Sequence, residues 1–302
     1  MTAFTKTAKP ASRRLQEKPV KLAENDKSVC AITAAMTTGT GLTEFSKRYK
    51  NRFFDVGIAE EYAATFAAGL ASAGMKPYFA VYSSFLQRSY DQIIHDTAIA
   101  GLPVRYLIDR AGIVGEDGET HQGLFDVAFL TTIPKMTVYS PASYKELVGC
   151  IEKSATAESP LAIRYPRGKE KYSFDYSDKD FTVFSNRGRI ALVTYGIISS
   201  NALEAQQQLL TEGVAADVIK LNKIYPISDK FCDVLSDYDK VFFFEEGIRN
   251  GGISEHIVSR ANIKSYKIVA IPDRFVPAMS CEAARKKYLL DSESMAKTVK
   301  GE

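Results

Sequence analysis

Four short stretches hold the residues that could do chemistry. In 54–62 (Phe-Asp-Val-Gly-Ile-Ala-Glu-Glu-Tyr) a strand gives way to a helix, and Glu60 falls in the helix's first turn. A carboxyl group there can donate or accept a proton while half shielded from water. The same position also suits a carboxylate that only complements the helix dipole, worth about 0.3–1 kcal/mol. In 82–91, Ser83 or Ser84 can cap a helix whose first turns carry Phe85 and Arg88, an arginine placed to face an anion. In 109–123 an Asp-Arg pair leaves a strand and enters a loop with glycines at 112, 115, 118 and 123, among Asp117, Glu119 and His121. Glycines let backbone approach a ligand closely, and an imidazole in such a loop has little core to sit in. In 164–168 (Arg-Tyr-Pro-Arg-Gly), Arg167 leaves another strand end. With Arg88 and Arg110 it would suit a phosphate ester; alone it reads equally as a basic entrance to a linker.

Side chains gathered in this way need parallel strands, whose carboxyl ends lie along one edge of a sheet. The hydrophobic periodicity supplies them. It predicts strands at 29–33, 52–56, 78–82, 104–109, 136–139 and 161–165, alternating with helices at 59–73, 84–100 and 144–155. Gly74 and Gly101 stand where left-handed helix caps are expected. A polar stretch, 168–187, reads as a linker. Strands at 190–194, 216–221, 240–244 and 266–271 then alternate with helices at 200–211, closed by Gly213, and 252–261. A charged segment at 11–26 is expected to be helical. The fold class is α/β: two doubly wound domains, each with a mainly parallel sheet, over 1–175 and 176–302.

Composition agrees and excludes much else. The chain has 302 residues, 25% charged and 45% hydrophobic, with a formal net charge of +3. That is soluble, globular composition, with no argument for nucleic acid or membrane binding. The longest uncharged runs, 62–75 and 190–203, are too short to span a bilayer, and residues 1–27 hold no apolar signal core. Cysteines at 30, 150, 232 and 281 form no CxxC pair, which fits a reduced, cytoplasmic setting. Histidines at 95, 121 and 256 give no zinc spacing, so no metal ligands are assigned. No Walker A motif is present, and Gly39-Thr40-Gly41 lacks the third glycine of a dinucleotide fingerprint.

The segments FFDVGIAEEYAATFAAGL, YSSFLQRSYDQIIHD, DRAGIVGEDGETHQG and RYPRG, in this order and spacing, closely resemble the 1-deoxy-D-xylulose-5-phosphate synthases, members of the transketolase-like thiamine-diphosphate group. The likeness continues through 221–227 and 245–247. It implies a pyrimidine-binding (transketolase central) domain over 1–175 and a transketolase C-terminal domain over 176–302. It also implies that the family's diphosphate-binding domain is missing. That domain brings a GDG motif with a downstream asparagine, whereas here the nearest match is Gly115-Glu116-Asp117-Gly118, with no asparagine between Asn51 and Asn186.

By this resemblance Glu60 would hydrogen-bond the aminopyrimidine of thiamine diphosphate, favouring the imino tautomer whose nitrogen is the local base. Phe85 would stack on that ring, with Ile58 beside it in the cofactor pocket. His121 and Asp117 would handle the protons of donor and acceptor. Tyr82, Arg88, Arg110 and Arg167 would hold the phosphate of glyceraldehyde 3-phosphate. The implied reaction condenses pyruvate with that aldehyde with loss of CO2. Thiamine diphosphate would be shared with a separate diphosphate-binding subunit that holds Mg2+, in a homodimer or heterotetramer, and the start at Met1 suits a natural split chain. Three residues depart from the family: Glu61 and Tyr62 replace Gln and His, and Ala278 replaces a polar residue. These departures leave open a split transketolase acting on another sugar phosphate, or a non-catalytic regulatory subunit.

Overall fold

The computed structural model describes residues 17–302, and the start of the expected 11–26 helix lies outside them; Glu17–Asn25 is helical. Twelve strands are described: β1 (Val29–Thr33), β2 (Phe53–Asp55), β3 (Lys76–Tyr82), β4 (Arg105–Asp109), β5 (Thr137–Tyr139), β6 (Leu161–Arg164), β7 (Phe181–Phe184), β8 (Ile190–Tyr195), β9 (Ala216–Leu221), β10 (Lys223–Tyr225), β11 (Lys240–Ile248) and β12 (Tyr266–Ile271). They form a seven-stranded sheet in the order β10-β5-β6-β4-β3-β1-β2 and a five-stranded sheet in the order β12-β11-β8-β9-β7. Strands β1, β4 and β9 are buried along their whole length, as expected for parallel sheets covered on both faces.

Helix Glu60–Ser72 shows how the covering is achieved. Its alanines 63, 64, 67, 68 and 71 are buried, and their small side chains let it lie close on the sheet. Gly74 then turns the chain at φ +83°. Gly101 and Gly213 do the same after later helices, at φ +67° and +81°.

Helices at Asp126–Leu130, Asp229–Leu235, Cys281–Lys287 and Ser292–Lys300 are additions to the periodicity reading, and three further departures change the path of the chain. The expected helix at 84–100 starts at Ser83 and is irregular, passing through a 3-10 turn at Gln87–Ser89 and a π-helical turn at Ile93–Ala98. Neither Ser83 nor Ser84 caps it; both hydroxyls are buried without a hydrogen-bond partner. The supposed linker at 168–187 contains β7, which pairs antiparallel with β9. Strand β10 follows β9 directly in sequence yet leaves its sheet, pairing antiparallel with β5 on the edge of the larger one. All other pairings are parallel.

The two sheets are also joined by buried charge. Lys220 on β9 reaches Glu146 in helix Tyr144–Ser154 and Asn222, and its side chain is 2% exposed. Glu146 in turn accepts Ala142 N–H at 2.8 Å.

Candidate active site

The parallel register pairs Tyr82 with Asp109 and Arg164 with Ile108, bringing the carboxyl ends of β3, β4 and β6 together. Beyond β4, Arg110 takes a left-handed backbone at φ +59°, an uncommon conformation for a non-glycine residue. It is pinned there because its N–H donates to Asp109 Oδ1 at 2.6 Å, and the next N–H, of Ala111, donates to Tyr165 O at 3.0 Å. The guanidinium then lies 3.9 Å from the Tyr82 ring centroid, and Nη1 meets Asp117 Oδ2 at 2.9 Å. Arg167 Nη1 donates to that same oxygen. Asp117 therefore gathers Arg110 and Arg167, two of the four residues expected to hold phosphate.

Tyr82 is held from behind by Gly39. A Cβ at that position would lie 1.7 Å from the tyrosine hydroxyl, so only glycine permits the approach. In front, Tyr82 stacks on Phe85 with centroids 5.9 Å apart, and Phe85 meets His121 edge-on at 5.3 Å. His121 Nδ1 is 2.9 Å from Thr120 Oγ1.

The glycine-rich loop is no free loop. Gly112 and Gly123 pair across its base by two backbone hydrogen bonds of 2.6 and 2.9 Å. A Cβ on Gly112 would run into Glu246 of β11, and one on Gly123 into Arg110 O and Ser83. Above this base Gln122 ties the loop's two limbs, accepting Val114 N–H and donating to Gly115 O. A Cβ on Gly118 would lie 3.6 Å from the Ala278 Cβ, so this departure from the family sits near the loop that carries Asp117.

Glu60 and Arg88 form a second group. Glu60 opens its helix and is 2% exposed. Its Oε2 lies 3.1 Å from Arg88 Nη1, too poorly aligned for a hydrogen bond, and so remains a buried acceptor without a donor. Arg88 Nε is 3.5 Å from Glu61 Oε1. The arginine expected among the phosphate ligands thus sits on two carboxylates, apart from Arg110 and Arg167. Beside it Ile58 is 76% exposed, and Tyr62 is 59% exposed where it stacks on Phe66.

Two residues at this site carry signals that sequence reasoning left without a role. Tyr165 is buried with an unpartnered hydroxyl. Asp109 is 3% exposed, and burial lifts its carboxyl from 3.8 to about 7 against the lowering pull of Arg110 and Arg167. The folded chain therefore binds this proton more tightly than the unfolded chain does. The resulting stability is complete below the unfolded value and is lost as pH rises through about 7, by at most about 1.4 kcal/mol per pH unit. Urea unfolding between these limits should show wild type losing stability relative to Asp109→Asn as pH rises. A constant difference between the two proteins would contradict the assignment.

Among the described residues no group of three or more His, Cys, Asp or Glu is placed to hold a metal ion. What the site offers is a buried carboxyl with an unmet acceptor, an aromatic wall, an imidazole and a pair of guanidiniums. Residues 12–171 match the transketolase pyrimidine binding domain, and residues 183–295 match the transketolase C-terminal domain. The chain belongs to the transketolase family. Among relatives of this transketolase-family chain is the 1-deoxy-D-xylulose-5-phosphate synthase of Caldanaerobacter subterraneus subsp. tengcongensis, 44% identical over 92% of this chain and 46% of that protein. The synthase of Clostridium tetani is 38% identical over 99% of this chain and 50% of that protein. The chain spans about half the length of the curated relatives it matches. A solved structure described as a split gene transketolase, inactive beta4 tetramer, aligns with a TM-score of 0.85 at 25% identity, covering 97% of this chain and 98% of that one. Transketolase from Campylobacter jejuni shares the fold with a TM-score of 0.84 at 17% identity, over 97% of this chain and 46% of its own.

Proposed function

We propose that this chain is the pyrimidine-binding and carboxy-terminal part of a 1-deoxy-D-xylulose-5-phosphate synthase, with domains over 1–175 and 176–302. It would condense pyruvate with glyceraldehyde 3-phosphate and release CO2, supplying a precursor for isoprenoid synthesis. The observation that supports this reading is Glu60: its buried Oε2 is an acceptor without a donor, in the first turn of a helix. Such an acceptor fits the aminopyrimidine of thiamine diphosphate. Glu60 would bind the ring, while Phe85 and Ile58 would pack against it. When bound, the cofactor supplies the carbon–carbon chemistry that no side chain can perform.

The remaining roles belong to this chain's own residues. Arg110 and Arg167, steadied by Asp117 and Tyr82, would hold the acceptor's phosphate through charge-assisted hydrogen bonds. His121 is set to move a proton at the acceptor oxygen. Arg88 would neutralise Glu60 and Glu61 at the rim. A diphosphate-binding partner chain would hold Mg2+ and cover the exposed Ile58 and Tyr62 beside Glu60. The free cysteines fit a cytoplasmic setting.

A split transketolase reading draws on the solved neighbour that is nearly coextensive with this chain. A panel of donors separates the two: preference for a ketose phosphate over pyruvate would favour it. The deciding experiment mixes this chain with a diphosphate-binding-domain chain encoded beside it. Thiamine-dependent pyruvate consumption is expected from the mixture, and none from either chain alone. Failure of the mixture, or tight Mg2+-dependent cofactor binding by this chain alone, would sink the split-subunit reading.

A further inference from the structure

The roles above leave unused a buried carboxyl group on the residue next to Arg110. Asp109 is buried at the end of β4, with Oδ1 on the backbone N–H of Arg110. Positive charge reaches it from Arg110 on its own strand end and from Arg167 beyond β6. The phenols of Tyr82 on β3 and of Tyr165, just past β6, stay protonated because burial raises their pKa. Asp117, on the glycine-rich loop, holds both guanidiniums from the other side.

The charge count matters. Two arginines against Asp117 alone leave one net positive charge; an ionised Asp109 brings the cluster to zero. An anion arriving at the guanidiniums therefore competes with the Asp109 carboxylate for the same positive field. We propose that Asp109 is a positioning residue that couples anion binding at Arg110 and Arg167 to uptake of one proton. This rests on the phosphate reading of those two arginines given above. Neutral Asp109 keeps the left-handed Arg110 in place through an uncharged oxygen and leaves the arginine pair its net charge. Ionised Asp109 weakens the anion's hold and must be protonated as the anion enters. Because burial lifts the carboxyl to about 7, both forms are populated near neutrality. By linkage, the anion raises the proton affinity of Asp109 by the same factor as the proton raises the affinity for the anion.

Inorganic sulfate is the suitable probe, since its charge is fixed across the neutral range. Calorimetric titration of the full chain in two buffers of different ionisation enthalpy measures proton uptake directly in the wild type. A fractional uptake approaching one proton above about pH 7 is expected, with sulfate affinity falling about tenfold from about pH 6 to about pH 8. Asp109→Asn should bind sulfate with no uptake and with a flat pH profile. A histidine side chain also titrates near neutrality, so His121→Gln is the necessary control and should retain the wild-type dependence. Sulfate binding without proton uptake in the wild type would overturn the coupling alone. So would a pH profile that survives in Asp109→Asn or disappears in His121→Gln. No sulfate binding at any pH would overturn the phosphate reading and the coupling together.

Discussion

Glu60→Ala in the reconstituted enzyme is expected to lower turnover by a factor of about 10²–10⁴, the range ascribed to a positioned acid–base group. Glu60→Gln should lose most of the same activity, because an amide keeps the shape but not the acidity. The fold should barely notice. Glu60 opens its helix with Glu61 beside it, and the helix-dipole contribution of one such carboxylate is about 0.3–1 kcal/mol. The helix is otherwise fixed by five buried alanines that the substitution does not touch. Parallel urea unfolding therefore separates the two roles of this residue. Turnover lost at nearly unchanged stability assigns Glu60 to the chemistry. Unchanged turnover would reduce it to a dipole residue and remove the main support for thiamine diphosphate at this site.

Asp126→Ala should have the largest effect on stability, about 3–5 kcal/mol, because it strands a buried charge. Arg164 is 4% exposed and forks onto both Asp126 oxygens, at 2.9 and 3.2 Å, with Ser140 Oγ a third partner at 3.3 Å. Its guanidinium carbon lies 5.4 Å from the ring centroid of Tyr195, at the end of β8 in the other sheet. Tyr195 passes the network on by donating to Glu245, and Glu245 accepts the N–H groups of Ile253 and Ser254 at the start of the next helix. Removing Asp126 leaves the arginine without its counter-charge at the junction of the sheets. Asp126→Asn keeps an acceptor and should cost less. A urea midpoint for Asp126→Ala close to that of wild type would show that solvent reaches Arg164 after all.

Burial pattern and strand ends made much of this architecture legible. Strands β1, β9 and β12 fall at 29–33, 216–221 and 266–271, because short β-branched and apolar stretches bounded by turn residues mark them. Gly74, Gly101 and Gly213 terminate their helices because each adopts positive φ where a side chain would be strained. Strands β7 and β10 were not legible. Each pairs antiparallel with a strand far away in sequence, β7 with β9 and β10 with β5, which local periodicity does not record. Irregularity in the helix after Ser83 is likewise invisible, since no proline or glycine marks it.

At the candidate site, residue types indicated strand ends but not the partners each side chain takes. Arg110, Asp117 and Arg167 are brought together as a phosphate site requires, whereas Arg88 is drawn to Glu60 and Glu61. Side chains of four or more bonds choose their neighbours in three dimensions, and sequence spacing does not reveal that choice. The raised pKa of Asp109 arises from burial, which only the folded chain supplies.

Strand β10 has a consequence for how such chains can be recombined. The obvious crossover point lies between residues 171 and 183, where the two matched family regions are separated. A chimera joined there would import Lys223–Tyr225 from a foreign parent and ask it to complete the native seven-stranded sheet beside β5. It would also separate Lys220 from the Glu146 with which it is paired. Shuffling this fold thus calls for two compatible seams rather than one. The two halves fit each other as a matched set even though each looks, in outline, like an interchangeable module.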